Sequence, residues 1–279
     1  MSAEIRAFLQ AIAAAPEDDL PRLVFADWLD ENGRPERADF IRVEVDIART
    51  QPGSPDRSKL FERQDALLKA HRKEWFALFD GKVEEYKSER GFVIAIRTGP
   101  EQFLTHADQW FGTQPITEMR LSNVWSDSPA GRKCLAKEIF TSPYLGQLKS
   151  LDLENAGVNA AGIYWLSQNP AITELQELNL RGNRIANEGV RTLAAMPGLA
   201  KLEVLEMTAC GITDLGARSL TTAPYFGNLR KLNLIYNRIS DEVQRQLRDR
   251  YGRAVPTWQD FSANQVSPSR KVRYRRRGG

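Results

Sequence analysis

Leucines and other apolar residues recur at a fixed spacing through the second half of the 279-residue chain. Successive residues of a strand point to opposite faces, so each L-x-L pair predicts a short strand with one buried face. Four segments share the pattern, and each begins 27 residues after the previous one. These four repeats are LKSLDLENAGV from Leu148, LQELNLRGNRI from Leu175, LEVLEMTACGI from Leu202 and LRKLNLIYNRI from Leu229.

The second half of each repeat has the apolar spacing of an amphipathic helix. In the second repeat, Val190 and Leu193 are predicted to face the core. In the third repeat, the predicted packing face is Leu215, Ala217 and Leu220. A strand followed by a helix, repeated at a constant period, predicts units that stack because none can bury its apolar face alone.

The turn after each strand carries a short polar residue at the ninth position of the pattern. Asn183, Cys210 and Asn237 occupy it in the last three repeats, whereas the first has Ala156 there and Asn155 one place earlier. A short polar side chain can bond loop backbone groups that would otherwise be buried without partners. We therefore predict that Asn183, Cys210 and Asn237 form a structural ladder.

The shared pattern L-x-x-L-x-L-x-x-N/C-x-L resembles that of leucine-rich repeats, and the repeat length and helical outer half resemble the ribonuclease-inhibitor type. The resemblance implies an α/β fold, a leucine-rich-repeat solenoid with a parallel sheet on its concave side and helices outside. Two earlier segments, ITEMRLSNV from Ile116 and GFVIAI from Gly91, carry the same rhythm less regularly. We expect about six strands in all.

The N-terminal part of the chain has helical periodicity instead, with one stripe formed by Ile5, Phe8, Leu9 and Ile12. The stretch DDLPRLVFADWLDENGRPERADFIRVEVDI resembles the short repeat-companion domain that precedes leucine-rich repeats in large bacterial protein families. The shared features are a D-x-x-R-L-V-Y/F-A-D-W-L-x-E/D-x-G core and a following E/D-F-I-R segment. This resemblance implies a protein-interaction role and brings no catalytic residues.

These patterns predict four parts of the chain. Residues 1–80 are predicted to form the helical companion domain with a connecting helix, and residues 81–147 a hairpin cap with irregular first repeats. Residues 148–258 hold the regular repeats and a C-terminal cap, and residues 259–279 a flexible basic tail.

Charge is unevenly placed along the chain. Net charge is +3, and removing six basic residues of the tail leaves −3 for the remainder. An arm of this kind could neutralise nucleic-acid phosphates, so nucleic acid is a possible partner through the tail only. The arm precedes Gly278-Gly279, which leaves processing or modification of the tail as a further alternative. Its basic residues are Arg270, Lys271, Arg273, Arg275, Arg276 and Arg277.

Residue types that carry catalysis or bind metals are scarce. The two cysteines and two histidines lie in no metal-ligand or nucleophile motif, and no glycine-rich phosphate loop is present. We therefore predict a protein that is not an enzyme and needs no cofactor or metal. No apolar run is long enough to span a membrane, and Glu4 and Arg6 interrupt the only signal-like segment. The predicted location is cytoplasmic.

The outward positions of the stacked strands should align into columns on the concave face. The predicted partner-binding residues are polar or charged, and acids outnumber bases among those near the centre, which would suit a basic or polar protein partner. The alternative is a sheet face that is merely solvated. The residues are Arg120, Asp152, Glu154, Glu177, Asn179, Arg181, Glu206, Lys231 and Asn233.

Overall fold

The computed structural model describes residues 3–128 and 131–255. Those residues fall into two compact units. The N-terminal unit comprises residues 3–96 and 106–116, and the repeat unit comprises residues 97–105 and 117–255. The four-part division predicted from the sequence remains a prediction.

The N-terminal unit is built mainly from four helices: α1 (Ala3–Ala14), α2 (Leu20–Glu31), α3 (Pro35–Arg49) and α4 (Pro55–Phe76). Prolines open α3 and α4, where a missing N–H costs no helical hydrogen bond. Leu9 and Ile12 are buried, and Phe8 packs beside them with its ring centroid 5.2 Å from that of Phe25. The predicted helical stripe of α1 therefore faces the core of this unit.

Two strands follow the helices, β1 (Glu85–Glu89) and β2 (Phe92–Thr98). Arg90 and Gly91 connect them with φ values of 49° and 88°, the left-handed geometry of a two-residue hairpin turn. A Cβ atom at Gly91 would also lie 2.9 Å from Ile41, so both the turn and the packing favour glycine there. Helix α5 (Pro100–Thr113) comes next, and Trp110 of α5 donates a hydrogen bond to the Leu78 carbonyl.

Charged residues of the DDLPRLVFADWLDENG stretch pair within the N-terminal unit. Arg42, from the later DFIR segment, lies 2.6 Å from a carboxylate oxygen of Asp27 and 2.6 Å from one of Asp30. Arg22 is buried and donates to the Asp18 carbonyl at 2.8 Å. The pairs of Arg42 hold α3 against α2, which gives the spacing of the two segments a structural reason, whereas the Arg22 bond joins α2 to the turn that precedes it.

The repeat unit contains five parallel strands in the order β3 (Glu118–Leu121), β6 (Ser150–Asp152), β7 (Glu177–Asn179), β8 (Val204–Glu206) and β9 (Lys231–Asn233). Their pairing is parallel and in register. The buried residue of each strand aligns with its neighbours in one apolar row. That row is Met119, Leu151, Leu178, Leu205 and Leu232.

A helix follows each strand from β6 onward: α7 (Ala160–Ser167), α8 (Ala186–Ala194), α9 (Asp214–Thr221) and α10 (Asp241–Tyr251). Small residues let successive helices approach closely. A Cβ atom at Gly216 of α9 would lie 2.6 Å from Oδ1 of Asn187, which belongs to α8. The same position in α8 is Gly189, where a Cβ atom would lie 3.6 Å from Ala160 Cα of α7.

The predicted burial of one residue of α9 is wrong. Leu215 is 64% exposed, whereas Gly216, Ala217 and Leu220 are buried. Residues of a helix advance by about 100° each, so Leu215 points almost opposite to Ala217. The inward face is therefore formed by Gly216, Ala217 and Leu220, and the glycine contributes to it by its lack of a side chain.

An antiparallel pair of strands, β4 (Trp125–Ser128) and β5 (Gly131–Cys134), lies between β3 and the short helix α6 (Ala136–Phe140). The sequence analysis did not predict it. Its signal was the spacing from Ile116 to Leu148, which is 32 residues instead of 27 and leaves room for an insertion. Over the described residues, the fold is mixed α/β, with a largely parallel sheet and ten α-helices.

Candidate partner-binding surface

Strand register brings the predicted surface residues into columns. The first column contains Glu118, Ser150, Glu177, Val204 and Lys231. The second contains Arg120, Asp152, Asn179, Glu206 and Asn233. Glu154 and Arg181 follow two residues after the second column and extend a third row. All nine predicted residues thus lie on or beside one face of the strands.

The second column is bonded to itself across the strands. The Asn179 amide donates to Oδ1 of Asp152 at 3.0 Å, and the Asn233 amide donates to Oε2 of Glu206 at 2.8 Å. The same side chains also accept from the backbone two residues later. Glu154 N–H donates to Asp152 at 2.8 Å, and Arg181 N–H donates to Asn179 at 3.1 Å. Acid and amide alternate from Asp152 to Asn233, and these hydrogen bonds hold the side chains of the column in place.

Opposite charges surround the acid that begins the third row. Glu154 lies 3.6 Å from Arg120 and 3.7 Å from Arg181, with one carboxylate oxygen facing each arginine. Arg120 also lies 3.6 Å from Asp152. These separations allow ion pairing without tight bidentate contact, and all four side chains are partly exposed. The part of the face around Asp152 and Glu154 is therefore a balanced charge network.

Burial changes the acid–base behaviour of one member. It raises the pKa of Asp152 above its ordinary value, because desolvation of the carboxylate outweighs the N–H donor of Glu154 and the charge of Arg120. Glu206 is similarly occupied, since one oxygen accepts from the backbone N–H and hydroxyl of Thr208 and the other from Asn233. Neither acid presents both oxygens to solvent.

Two members of the predicted set are exposed, Glu177 in the first column and Arg181 in the third row. Glu177 is exposed, and its carboxylate accepts a hydrogen bond from the Ser150 hydroxyl at 3.4 Å. Arg181, two residues after the end of the same strand, is also exposed. Lys231 at the far end of the column is half-buried. Glu177 and Arg181 are thus the most accessible charged side chains of the predicted set, and they carry opposite charges.

The predicted ladder residues lie in the turns that follow the strands. Buried Asn183 accepts from the Val158 N–H at 2.9 Å and donates to the Leu153 and Leu180 carbonyls at 2.7 and 2.8 Å. Asn237 accepts from Cys210 N–H and Ile212 N–H, both at 3.0 Å. Each asparagine therefore joins its own turn to the preceding repeat.

Cys210 takes the corresponding place in the third repeat with a thiol. Its Sγ donates to the Leu180 carbonyl, with an S···O distance of 3.1 Å. Burial raises the pKa of the Cys210 thiol to about 12. The thiolate is the reactive form of cysteine, and this pKa leaves little of Cys210 in that form at neutral pH. Cys134 is exposed.

Helix starts are also joined between repeats, through Asn187 and Asp214. Oδ1 of Asn187 in α8 accepts from the N–H groups of Thr213 and Gly216, at 2.9 and 3.1 Å. Asp214 in α9 accepts from the N–H of Ser240, which precedes α10, at 2.7 Å. The signal is the presence of Asn or Asp just inside a helix, one repeat before the backbone it caps.

The described residues, 3–128 and 131–255, contain no cluster of three or more histidine, cysteine or acidic side chains placed to hold a metal ion. Within the same ranges, no helix combines the length and apolar character needed to cross a membrane. The basic tail residues 270–277 and the end of the predicted C-terminal cap lie outside the described residues.

Comparison with known proteins bears on the repeats. The family model described as Leucine Rich repeat matches residues 172–194 and 198–220. These two segments are leucine-rich repeats. The first range includes β7 and α8, and the second includes β8 and all but the last residue of α9. The match thus supports the repeat family predicted from the 27-residue spacing, while no curated protein matches the chain.

Proposed function

We propose that this chain is a non-enzymatic scaffold or adaptor that binds a protein partner through the concave face of a leucine-rich-repeat solenoid. The observation that carries the proposal is the in-register alignment of polar side chains along β3, β6, β7, β8 and β9. The second column is pre-organised by its own hydrogen bonds, so binding would order few side chains and lose little conformational entropy.

The partner is expected to present mixed polar chemistry with at least one basic group. Glu177 offers an accessible carboxylate, and Arg181, four residues later in the same repeat, offers an accessible guanidinium. Charge pairs at the rim of an interface mainly set orientation and association rate. The balanced network around Glu154 argues against a uniformly cationic partner, which would have to displace Arg120 and Arg181.

The experiment is site-specific photocrosslinking in the native host, with a photoreactive amino acid placed at Glu177, at Arg181 or at Glu188. Glu188 is exposed on α8 in the same repeat and is the matched control. We expect the same protein adduct from Glu177 and Arg181 and none from Glu188. Adducts from Glu188 alone would assign binding to the helical face and overturn the proposal.

We further infer that residues 1–50 form a repeat-companion domain of the bacterial type. The support is the pairing of Arg42 with Asp27 and Asp30, which joins the two segments of the motif. In this proposal the companion domain has a protein-interaction role, and the protein resides in the cytoplasm.

A second candidate function is association with nucleic acid through the tail. The observation that favours it is the concentration of six basic residues within positions 270–277 of a chain whose remaining net charge is −3. A gel-shift assay at low salt, with and without residues 268–279, separates the two functions. A shift that requires the tail supports nucleic-acid binding, and its absence excludes this role.

A further inference from the structure

Helix α2 ends at an asparagine that is followed directly by a glycine. Asn32 and Gly33 come immediately after Glu31, the last residue of α2, and no other asparagine of the chain precedes a glycine. This pair has a chemistry of its own, because a glycine places no side chain beside its backbone nitrogen. That nitrogen can therefore reach the side-chain carbonyl carbon of the asparagine before it.

The reaction is an intramolecular displacement followed by hydrolysis. The backbone nitrogen of Gly33 attacks Cγ of Asn32, a bond forms between them, and the Asn32 side-chain nitrogen leaves as ammonia with the Gly33 N–H proton. The product is a five-membered cyclic imide. Water then opens the ring at one of its two carbonyl carbons. Opening at the side-chain carbonyl carbon gives aspartate, and opening at the backbone carbonyl carbon gives isoaspartate, in which the main chain continues through the former side chain.

The end of α2 gives the reaction both water and room. Every residue from Glu31 to Glu36 is exposed, and a Cβ atom built on Gly33 would meet no atom within 4 Å. Gly33 has a φ of 73°, and its N–H donates to the Asp30 carbonyl at 3.2 Å. The Arg34 N–H donates to the Leu29 carbonyl at 2.9 Å, which completes a Schellman cap on the helix.

This cap holds the two reacting groups in other hydrogen bonds. The side-chain amide of Asn32 donates to the Trp28 carbonyl at 2.8 Å, while the Gly33 N–H is directed at Asp30. Both bonds must open before the Gly33 nitrogen can approach Cγ of Asn32. Fraying helix ends open at a small cost in free energy, so the cap slows the reaction without preventing it.

We propose that Asn32 is a site of spontaneous deamidation, and that this modification releases the C-terminal turn of α2. The imide nitrogen carries no proton, so Gly33 loses its hydrogen bond to Asp30. Aspartate at position 32 replaces the donor that faces the Trp28 carbonyl with a second acceptor. It also adds negative charge at a helix C-terminus, where the helix dipole disfavours it.

Isoaspartate changes the backbone itself. It adds one carbon to the main chain between Leu29 and Arg34, so the bond between the Arg34 N–H and the Leu29 carbonyl loses its register. The released turn contains Asp30, whose carboxylate lies 2.6 Å from Arg42 of α3. The modification therefore loosens one of the two ion pairs that join α2 to α3.

The chemical half of the test is mass spectrometry of the full-length protein after incubation at mildly alkaline pH. The tryptic peptide of residues 23–37 has Asn32 as its only amide side chain, so replacement of NH2 by OH is assigned to it by mass. Asn228 is the matched control, because it is exposed, donates to the Ala200 carbonyl at 2.8 Å and precedes a leucine. We expect Asn32 to convert up to about a hundredfold more slowly than in the synthetic peptide, and Asn228 to stay intact.

The structural half is hydrogen exchange of Asn32→Asp, which carries one product from the start. We expect the N–H groups of Gly33 and Arg34 to exchange several-fold faster than in the unsubstituted protein, whereas Asn228→Asp leaves their exchange unchanged. Folded protein whose Asn32 stays intact long after the synthetic peptide has converted completely would overturn the proposed site. Unchanged exchange at both N–H groups in Asn32→Asp would overturn the proposed release of the turn.

Discussion

The side chain of Asn155 fills the space beside Gly182, so that a Cβ atom at Gly182 would lie 2.0 Å from Oδ1 of Asn155. The two residues occupy the same position in consecutive repeats, 27 residues apart. Both have left-handed backbone, with φ values of 55° and 71°, as do Ala209 and Tyr236 in the next two repeats. The turn is therefore imposed by the repeat, and its side chains must fit one another.

Gly182→Ala should destabilise the protein by more than the conformational cost alone. Left-handed backbone costs a non-glycine residue about 1–2 kcal/mol, and the Asn155 contact adds to this. Gly211→Ala is the matched control, because Gly211 has a φ of 73° and no atom within 4 Å of the added Cβ. In urea unfolding, Gly182→Ala should have a lower free energy of unfolding than Gly211→Ala. Adding Asn155→Ala should remove the difference, and its persistence would contradict the steric account.

Asn183→Ala should weaken the joint between the first and second repeats. It would leave the Val158 N–H without its acceptor, and the Leu153 and Leu180 carbonyls without the amide donor. An unsatisfied buried polar group costs about 1–3 kcal/mol, so the loss should exceed that of an exposed amide. Asn228→Ala, which removes one exposed bond to the Ala200 carbonyl, is the control. Equal unfolding midpoints for the two variants would refute the ladder role.

The two cysteines should differ in reactivity. Cys134 is exposed, whereas Cys210 is buried with a thiol pKa of about 12. An aromatic disulfide reagent at neutral pH should therefore modify one thiol in the folded protein and the second only after unfolding. Cys134→Ser should abolish the fast reaction. Rapid labelling of Cys210 in folded Cys134→Ser protein would show that the turn of the third repeat opens readily.

Asp152 and Asp214 should give opposite pH dependences of stability. Burial raises the pKa of Asp152, so the folded state binds this proton more tightly than the unfolded state, and its contribution falls as pH rises through the folded pKa. Hydrogen bonds from Ser240 lower the pKa of Asp214, so its contribution is lost as pH falls through the folded pKa.

The measurement is the free energy of unfolding of Asp152→Asn and Asp214→Asn, each compared with the unsubstituted protein. As pH rises from about 3 to about 7, the free energy of unfolding of Asp152→Asn should increase relative to that of the unsubstituted protein. Over the same range, the free energy of unfolding of Asp214→Asn should decrease relative to it. The same direction for both variants would contradict the assigned environments.

The repeat array could be predicted from the sequence because the constant spacing of the leucines reflects the stacking of equivalent repeats. Leucines at constant spacing placed Leu151, Leu178, Leu205 and Leu232 in adjacent strands, and the register aligns them. The β4–β5 pair escaped prediction because it interrupts the period and lacks the alternation of a half-buried strand. The predicted burial of Leu215 was wrong because Gly216, and not its apolar neighbour Leu215, lies on the inward face of α9.

The candidate surface could be predicted only in outline. Strand alternation indicates which side chains point outward, and thus which residues form the columns. It cannot indicate how those side chains pair with one another. The contacts of Glu154 with Arg120 and Arg181, and of Asn179 with Asp152, depend on distances between repeats. A face that is acid-rich by composition is therefore a mixed network of bonded charges.

The most direct test of the proposed binding face is the affinity of the crosslinked partner for two charge-reversed full-length proteins. Calorimetry would compare Glu177→Arg on β7 with Glu188→Arg on α8, which makes the same charge change in the same repeat. We predict that Glu177→Arg raises Kd by about tenfold or more, equivalent to about 1.4 kcal/mol, while Glu188→Arg leaves it unchanged. Equal affinities for the two variants, or a loss confined to Glu188→Arg, would contradict binding through the strand face.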